Sequence, residues 1–181
     1  MIENYTYDGW GLCPEAFVEI DKILTNGNVI LELGSGAGTE VLSRKYKMIS
    51  IEDDPEFIGK YNSQYLSVPL VKYEIEKFPF MWEFFKDDSH WYDPFILKEK
   101  LADLQKYDLL LIDGPKGYRG GLLSNLHLFD ISNIKVLVDD THDLFHLKIA
   151  EVISDKTGRS MNFHESLHLT PDGIHKQFII I

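Results

Sequence analysis

Acidic residues and glycines recur in this chain at spacings that can hold a nucleotide-like ligand. Glu32, Gly34, Gly36 and Gly38 form an E-x-G-x-G-x-G run inside "VILELGSGAGTEVLSR". Glycines at every second position, between an apolar run and an amphipathic one, let a ligand come close to the backbone. Glu52 follows twenty residues after Glu32, at the end of "MISIE". A carboxylate at that place can accept hydrogen bonds from both hydroxyls of a ribose. Asp53 is its solvated neighbour, and Asp54 suits the cap of a following helix.

A second acidic group lies further along. Asp113 closes "YDLLLID", with Lys116 three residues later, and Asp139 and Asp140 close "VLVDD". Three carboxylates brought together repel unless a cation or a ligand compensates them. Hard oxygen ligands of this kind suit Mg²⁺ or Ca²⁺. Asp140 and Thr141 can also cap a helix, and the acids can contact a ligand directly without any metal. His142 lies close to the acids and is a candidate general base; a solvated or capping histidine is the plainer reading. His142 and His146 are four apart, but Asp143 stands where a zinc helix H-E-x-x-H carries glutamate, so no zinc site is expected. In "KGYRGG", Lys116 and Arg119 sit in a basic turn that either binds an anionic group or is simply solvated.

These residues need a scaffold that brings them to one rim. Strands are expected at 29–33, 48–52, 68–73, 107–112 and 134–138, and two more at 162–167 and 177–181. Helices are expected at 14–24, 39–46, 54–61, 94–105 and 142–157, the last closed by Gly158. Alternating strands and helices indicate a mostly parallel sheet covered on both faces. The last two strands, with no helix between them, suggest an antiparallel hairpin at one edge. In such sheets ligands bind beyond the carboxyl ends of the strands. Residues 74–105 form an aromatic-rich insertion, either a satellite core or a lid.

With 181 residues the chain fits a single domain, 1–181. Its net charge of −11 disfavours nucleic acid as a partner, because phosphate binding needs an excess of Lys and Arg. No leader and no apolar run long enough to span a membrane is evident. One cysteine, Cys13, forms no internal disulfide and fits a reducing compartment, so the cytoplasm is the expected location.

The E-x-G-x-G-x-G run resembles motif I of class I S-adenosylmethionine-dependent methyltransferases. A dinucleotide fingerprint would place a small residue where Thr39 stands, so an NAD(P)-dependent oxidoreductase fits less well. "GWGLCPEAF", "LELGSGAG", "SIEDDPEF", "WYDP", "YDLLLIDGP" and "VLVDD" together look like a bacterial branch of that superfamily. The resemblance implies a three-layer Rossmann-like α/β fold with strand order 3-2-1-4-5-7-6 and an antiparallel seventh strand. It implies S-adenosylmethionine held by Glu32, Gly34, Ser35, Gly36, Gly38, Glu52, Asp53 and Asp113. The strand-end acids are similar to those of catechol O-methyltransferase and other cation-dependent O-methyltransferases, with Asp140 where that family has Asn. By that likeness Asp113, Asp139 and Asp140 would bind Mg²⁺ or another divalent cation, and Lys116 would deprotonate a small-molecule acceptor at oxygen. Asp113 or Asp139 acting on substrate directly, with His142 as base, is the alternative. A non-enzymatic cofactor- or nucleotide-binding module is a further one.

Overall fold

The computed structural model describes residues 5–72, 90–104, 106–116 and 119–181. Most of the aromatic insertion, including Phe78, Trp82 and Phe85, lies outside the described residues. Of its aromatics, Trp91 and Tyr92 are fully buried core residues and Phe95 is exposed.

Five short parallel strands carry the centre of the fold: β1 (Val29–Leu33), β2 (Lys47–Glu52), β3 (Gln64–Ser67), β6 (Leu109–Ile112) and β7 (Lys135–Val138). Two further strands, β8 (Asn162–Leu169) and β9 (His175–Ile180), complete a seven-stranded sheet of order β3-β2-β1-β6-β7-β9-β8. β9 runs antiparallel to both β7 and β8. Counting only strands of this sheet, the arrangement is the expected 3-2-1-4-5-7-6. A separate antiparallel ladder joins β4 (Leu70–Lys72) to β5 (His90–Tyr92).

Central strands are apolar on both sides because helices cover both faces. Side chains alternate, so Ile30, Leu109, Leu111 and Leu137 pack under α1 (Pro14–Ile23) and α2 (Ala37–Leu42). Leu31, Leu33, Ile112, Val136 and Val138 face the opposite core. That core is closed by α3 (Pro94–Ala102), α4 (Gly121–Asn125) and α5 (Leu144–Thr157). Helix ends follow their sequence signals. Pro94 opens α3 behind Asp93, whose carboxylate accepts from the Phe95 and Ile96 amides. Gly158 ends α5 in the left-handed conformation at φ 67°.

Three expected boundaries are corrected. The third sheet strand is 64–67, not 68–73; Leu70–Lys72 instead pairs with β5, because Pro69 interrupts the run. Residues 54–61 form turns rather than a helix, with Asp54 Oδ1 capping the Glu56 amide. Helix α5 starts behind Asp143, whose carboxylate takes the Phe145 amide, so neither Asp140 nor Thr141 is its cap. Among the described residues, no helix is long and apolar enough to cross a membrane.

β1 is anchored at its start by Asp108, whose Oδ2 accepts from the Val29 amide at 2.8 Å. Asp108→Ala leaves that partly buried amide without its partner, a loss of about 1–2 kcal/mol. Thermal unfolding should then fall by about 3–6 °C; an unchanged melting point would remove Asp108 from the anchoring role.

Candidate functional site

Gly34 leaves β1 with φ 84°, a left-handed conformation that costs a side chain but not glycine. Its amide donates to Ile51 O at 2.9 Å, and the Asp113 amide donates to Leu33 O at 3.2 Å. Gly34 therefore lies where the ends of β1, β2 and β6 meet. A Cβ on Gly114 would come within 2.6 Å of Gly34 Cα, so the two loops touch backbone to backbone.

The glycines of the loop answer to different neighbours. Gly38 faces Leu12, whose Cδ1 would lie 3.1 Å from an added Cβ, so its smallness serves helix packing. Gly36 has extended backbone, and a Cβ there would meet nothing within 4 Å. The protein itself does not require a glycine at Gly36.

Polar side chains beneath the loop fix its shape. Thr39 is fully buried; its hydroxyl accepts from the Gly36 amide at 3.0 Å and donates to Glu32 Oε2 at 2.8 Å. Ser50 on β2 donates to the same oxygen at 2.9 Å. Burial pushes the Glu32 carboxyl up to about 8 against these two hydrogen bonds. Glu32 was expected against a cofactor, but its side chain is 1% exposed and faces inward. It holds the loop from below. Ser35 Oγ sits 3.2 Å from Thr39 Oγ1 and 3.0 Å from the Tyr65 hydroxyl of β3.

Glu52 ends β2 beside this loop. Its Oε1 accepts from the Asp53 and Asp54 amides at 2.8 and 2.9 Å, which turns the chain away from the strand and fixes the carboxylate. Burial raises its pKa, partly offset by those backbone amides. Asp53 is half-buried next to it, its pKa also raised by burial.

The second acidic group assembles as its strand-end positions require. One oxygen from each of Asp113, Asp139 and Asp140 lies within 4.8 Å of the others. Two cations already stand among them. Arg119 Nη2 lies 2.9 Å from Asp140 Oδ2 and 3.7 Å from Asp113 Oδ1, and donates to Asp113 O at 2.7 Å. Lys176 Nζ, from β9, lies 2.9 Å from both Asp139 Oδ2 and Asp140 Oδ1. It also donates to Trp10 O and Gly11 O at 3.2 and 2.8 Å. Burial and the charge of Asp139 push Asp113 well up, and burial pushes Asp139 up despite Lys176. Burial opposes ionisation of Asp140 too, but Arg119 and Lys176 hold its carboxyl down at about 2. Asp140 adopts φ 60°, a left-handed backbone that an aspartate tolerates, and this aims its two oxygens at two different cations.

Other expectations fare differently. Arg119 is 5% exposed and spent on backbone and carboxylate oxygens, so it is no solvated anion-binding turn. Gly121 packs against Trp91, where a Cβ would fall 2.2 Å from the indole. Lys116 is exposed and makes no hydrogen bond or ion pair with the three acids. His142 is half-buried, and its Nδ1 lacks a hydrogen-bond partner. Cys13 is buried at the start of α1, its thiol pushed up to about 11 by burial. Lys176 carried no sequence signal. It is one lysine in a terminal strand, and only the sheet order β7-β9 brings it to the acids.

No family model matches the chain, and comparison with curated proteins gives no match. Solved structures do share the fold. Precorrin-6y C5,15-methyltransferase from Geobacter metallireducens superposes with TM-score 0.57 at 17% identity, over 97% of this chain and 91% of that one. An O-methyltransferase from Bacillus cereus, in complex with S-adenosylhomocysteine, gives 0.57 at 12% identity over 94% and 81%. Precorrin 8w decarboxylase from Methanobacterium thermoautotrophicum gives 0.57 at 14% identity over 94% and 90%. At these identities the likeness establishes a common architecture: the seven-stranded, mostly parallel Rossmann-like sheet with its antiparallel terminal hairpin.

Proposed function

We propose that the chain is an S-adenosylmethionine-dependent methyltransferase acting on a small-molecule acceptor at oxygen. The observation that carries this reading is Gly36. The fold does not need a glycine there, yet the position lies on the loop beside Glu52, where a cofactor would lie against the backbone. In this reading Glu52 accepts from the ribose hydroxyls, with Asp53 beside it. Gly34, Ser35 and Gly36 present their backbone to the methionine part. Glu32 and Thr39 keep that backbone in place, and Gly38 seats α2 on Leu12. Two of the solved structures that share the fold are named as methyltransferases, which supports the choice of cofactor.

Bound S-adenosylmethionine supplies an electrophilic methyl on a sulfonium, so the protein has mainly to align and to receive a proton. Asp113 would take the proton of the acceptor O–H, and the methyl donor would leave as the neutral thioether. Asp113 suits this better than Lys116 or His142. It lies directly beside Gly34, and its carboxyl is partly exposed at the rim.

Calorimetric titration with S-adenosylmethionine, S-adenosylhomocysteine and NAD tests the cofactor. One molecule of each sulfur compound should bind per chain, and NAD should not. Binding of NAD alone would replace the reading with an oxidoreductase, for which Thr39 leaves little support. Binding without methyl transfer across a panel of hydroxylated acceptors would favour a non-enzymatic module.

A further inference from the structure

The strand-end acids resemble a divalent-metal site, and their geometry here is that of a cation site already filled. Lys176 Nζ has four oxygens around it: Trp10 O, Gly11 O, Asp139 Oδ2 and Asp140 Oδ1, at 2.8–3.2 Å. Those are ammonium-to-oxygen distances, longer than the 2.0–2.1 Å of Mg²⁺ or the 2.3–2.6 Å of Ca²⁺. Lys176 and Asp139 are both 0% exposed, so neither can swing out to make room. The Arg119 guanidinium closes the other side, between Asp140 and Asp113. Asp140 thus gives one oxygen to each of the two cations. A divalent ion within reach of the three acids would sit against two fixed positive charges. The donor set does not fit a metal.

We propose that Lys176 is the resident cation of this rim, and that the Asp113–Asp139–Asp140 cluster takes no divalent metal. The ammonium does what a metal would do structurally. It compensates the carboxylates and ties the 10–11 backbone to the end of β7. The aspartate at 140, where cation-dependent relatives carry asparagine, follows from this. Its additional negative charge is matched by the second cation, Arg119. The inference does not depend on which acceptor is methylated, nor on the cofactor assignment.

Mn²⁺ titration followed by the free-ion paramagnetic resonance signal tests it. The native protein should leave the signal undepleted at millimolar Mn²⁺, while Lys176→Met, shown folded by circular dichroism, should bind one Mn²⁺ per chain. Its affinity should exceed the native protein's by roughly tenfold or more. Lys176→Met with Asp139→Asn should lose that ion again. One Mn²⁺ per native chain, abolished by Asp139→Asn, would overturn the proposal even if Lys176→Met failed to fold. A folded Lys176→Met that gains no ion would overturn the assignment of Lys176. Titration of the same samples with S-adenosylhomocysteine reads the cofactor loop separately, so failure there is not mistaken for failure here.

Discussion

Between pH 5 and pH 8 the native protein should lose roughly 3 kcal/mol of stability through Glu32 alone. Glu32 is buried beneath the glycine loop, and burial raises its carboxyl from the ordinary 4.5 to about 8. Below pH 4.5 both folded and unfolded chains hold the proton, and there is no cost. Above it the unfolded chain releases the proton while the folded one keeps it, so each further pH unit favours unfolding. The loss is complete once pH passes about 8, where the folded carboxyl ionises too. Glu32→Gln removes the ionisable proton but keeps an oxygen for the Thr39 and Ser50 hydroxyls. Its new amide N–H group is buried, so the variant should be weaker than the native protein at pH 5 by about 1–3 kcal/mol. By pH 8 that gap should close or reverse. Urea unfolding at a series of pH values reads the difference between the two proteins. Parallel curves would show that Glu32 ionises normally in the fold.

Much of this architecture was legible in the sequence, for identifiable reasons. Apolar runs bounded by Gly, Pro and Asp marked β1, β2, β6 and β7, because strands buried on both faces must be apolar throughout. Asp93-Pro94 and Gly158 marked helix ends by their caps. The run at 68–73 misled because its apolar content is genuine, while Pro69 moves the pairing to another ladder. The short helix α4 carries no such signal; five residues that themselves begin with a glycine, Gly121, show almost no periodicity. At the site, strand-end position alone placed Glu52, Asp113, Asp139 and Asp140 on one rim. It could not show which way Glu32 points, since a strand residue next to a loop can face ligand or core. Nor could it show that Arg119 and Lys176 compensate the acids. Lys176 lies 37 residues from Asp139 in sequence, and only the antiparallel return of β9 beside β7 joins them.

Glu52→Ala and Gly36→Val should both weaken S-adenosylhomocysteine binding, for opposite reasons. At Glu52 the loss is of acceptors. Two ribose hydroxyls would lose hydrogen bonds to a charged group, each worth about 1.5–3 kcal/mol, so a fall of about a hundredfold or more is expected. Glu52→Gln can accept one hydroxyl and should fall between. At Gly36 the loss is of space. The backbone there is extended, which any residue adopts, and nothing in the protein lies within 4 Å of a Cβ. Folding stability should therefore change by no more than about 1 kcal/mol, the usual penalty of an apolar residue at a helix N-cap. The added side chain would instead stand in the volume assigned to the cofactor, and affinity should fall tenfold or more. Melting temperature and calorimetric affinity, measured on both variants, separate these effects. If Gly36→Val binds as the native protein does, the open space beside the loop is solvent and the cofactor lies elsewhere. If Gly36→Val weakens binding while Glu52→Ala does not, the cofactor crosses the loop but turns its ribose away from β2.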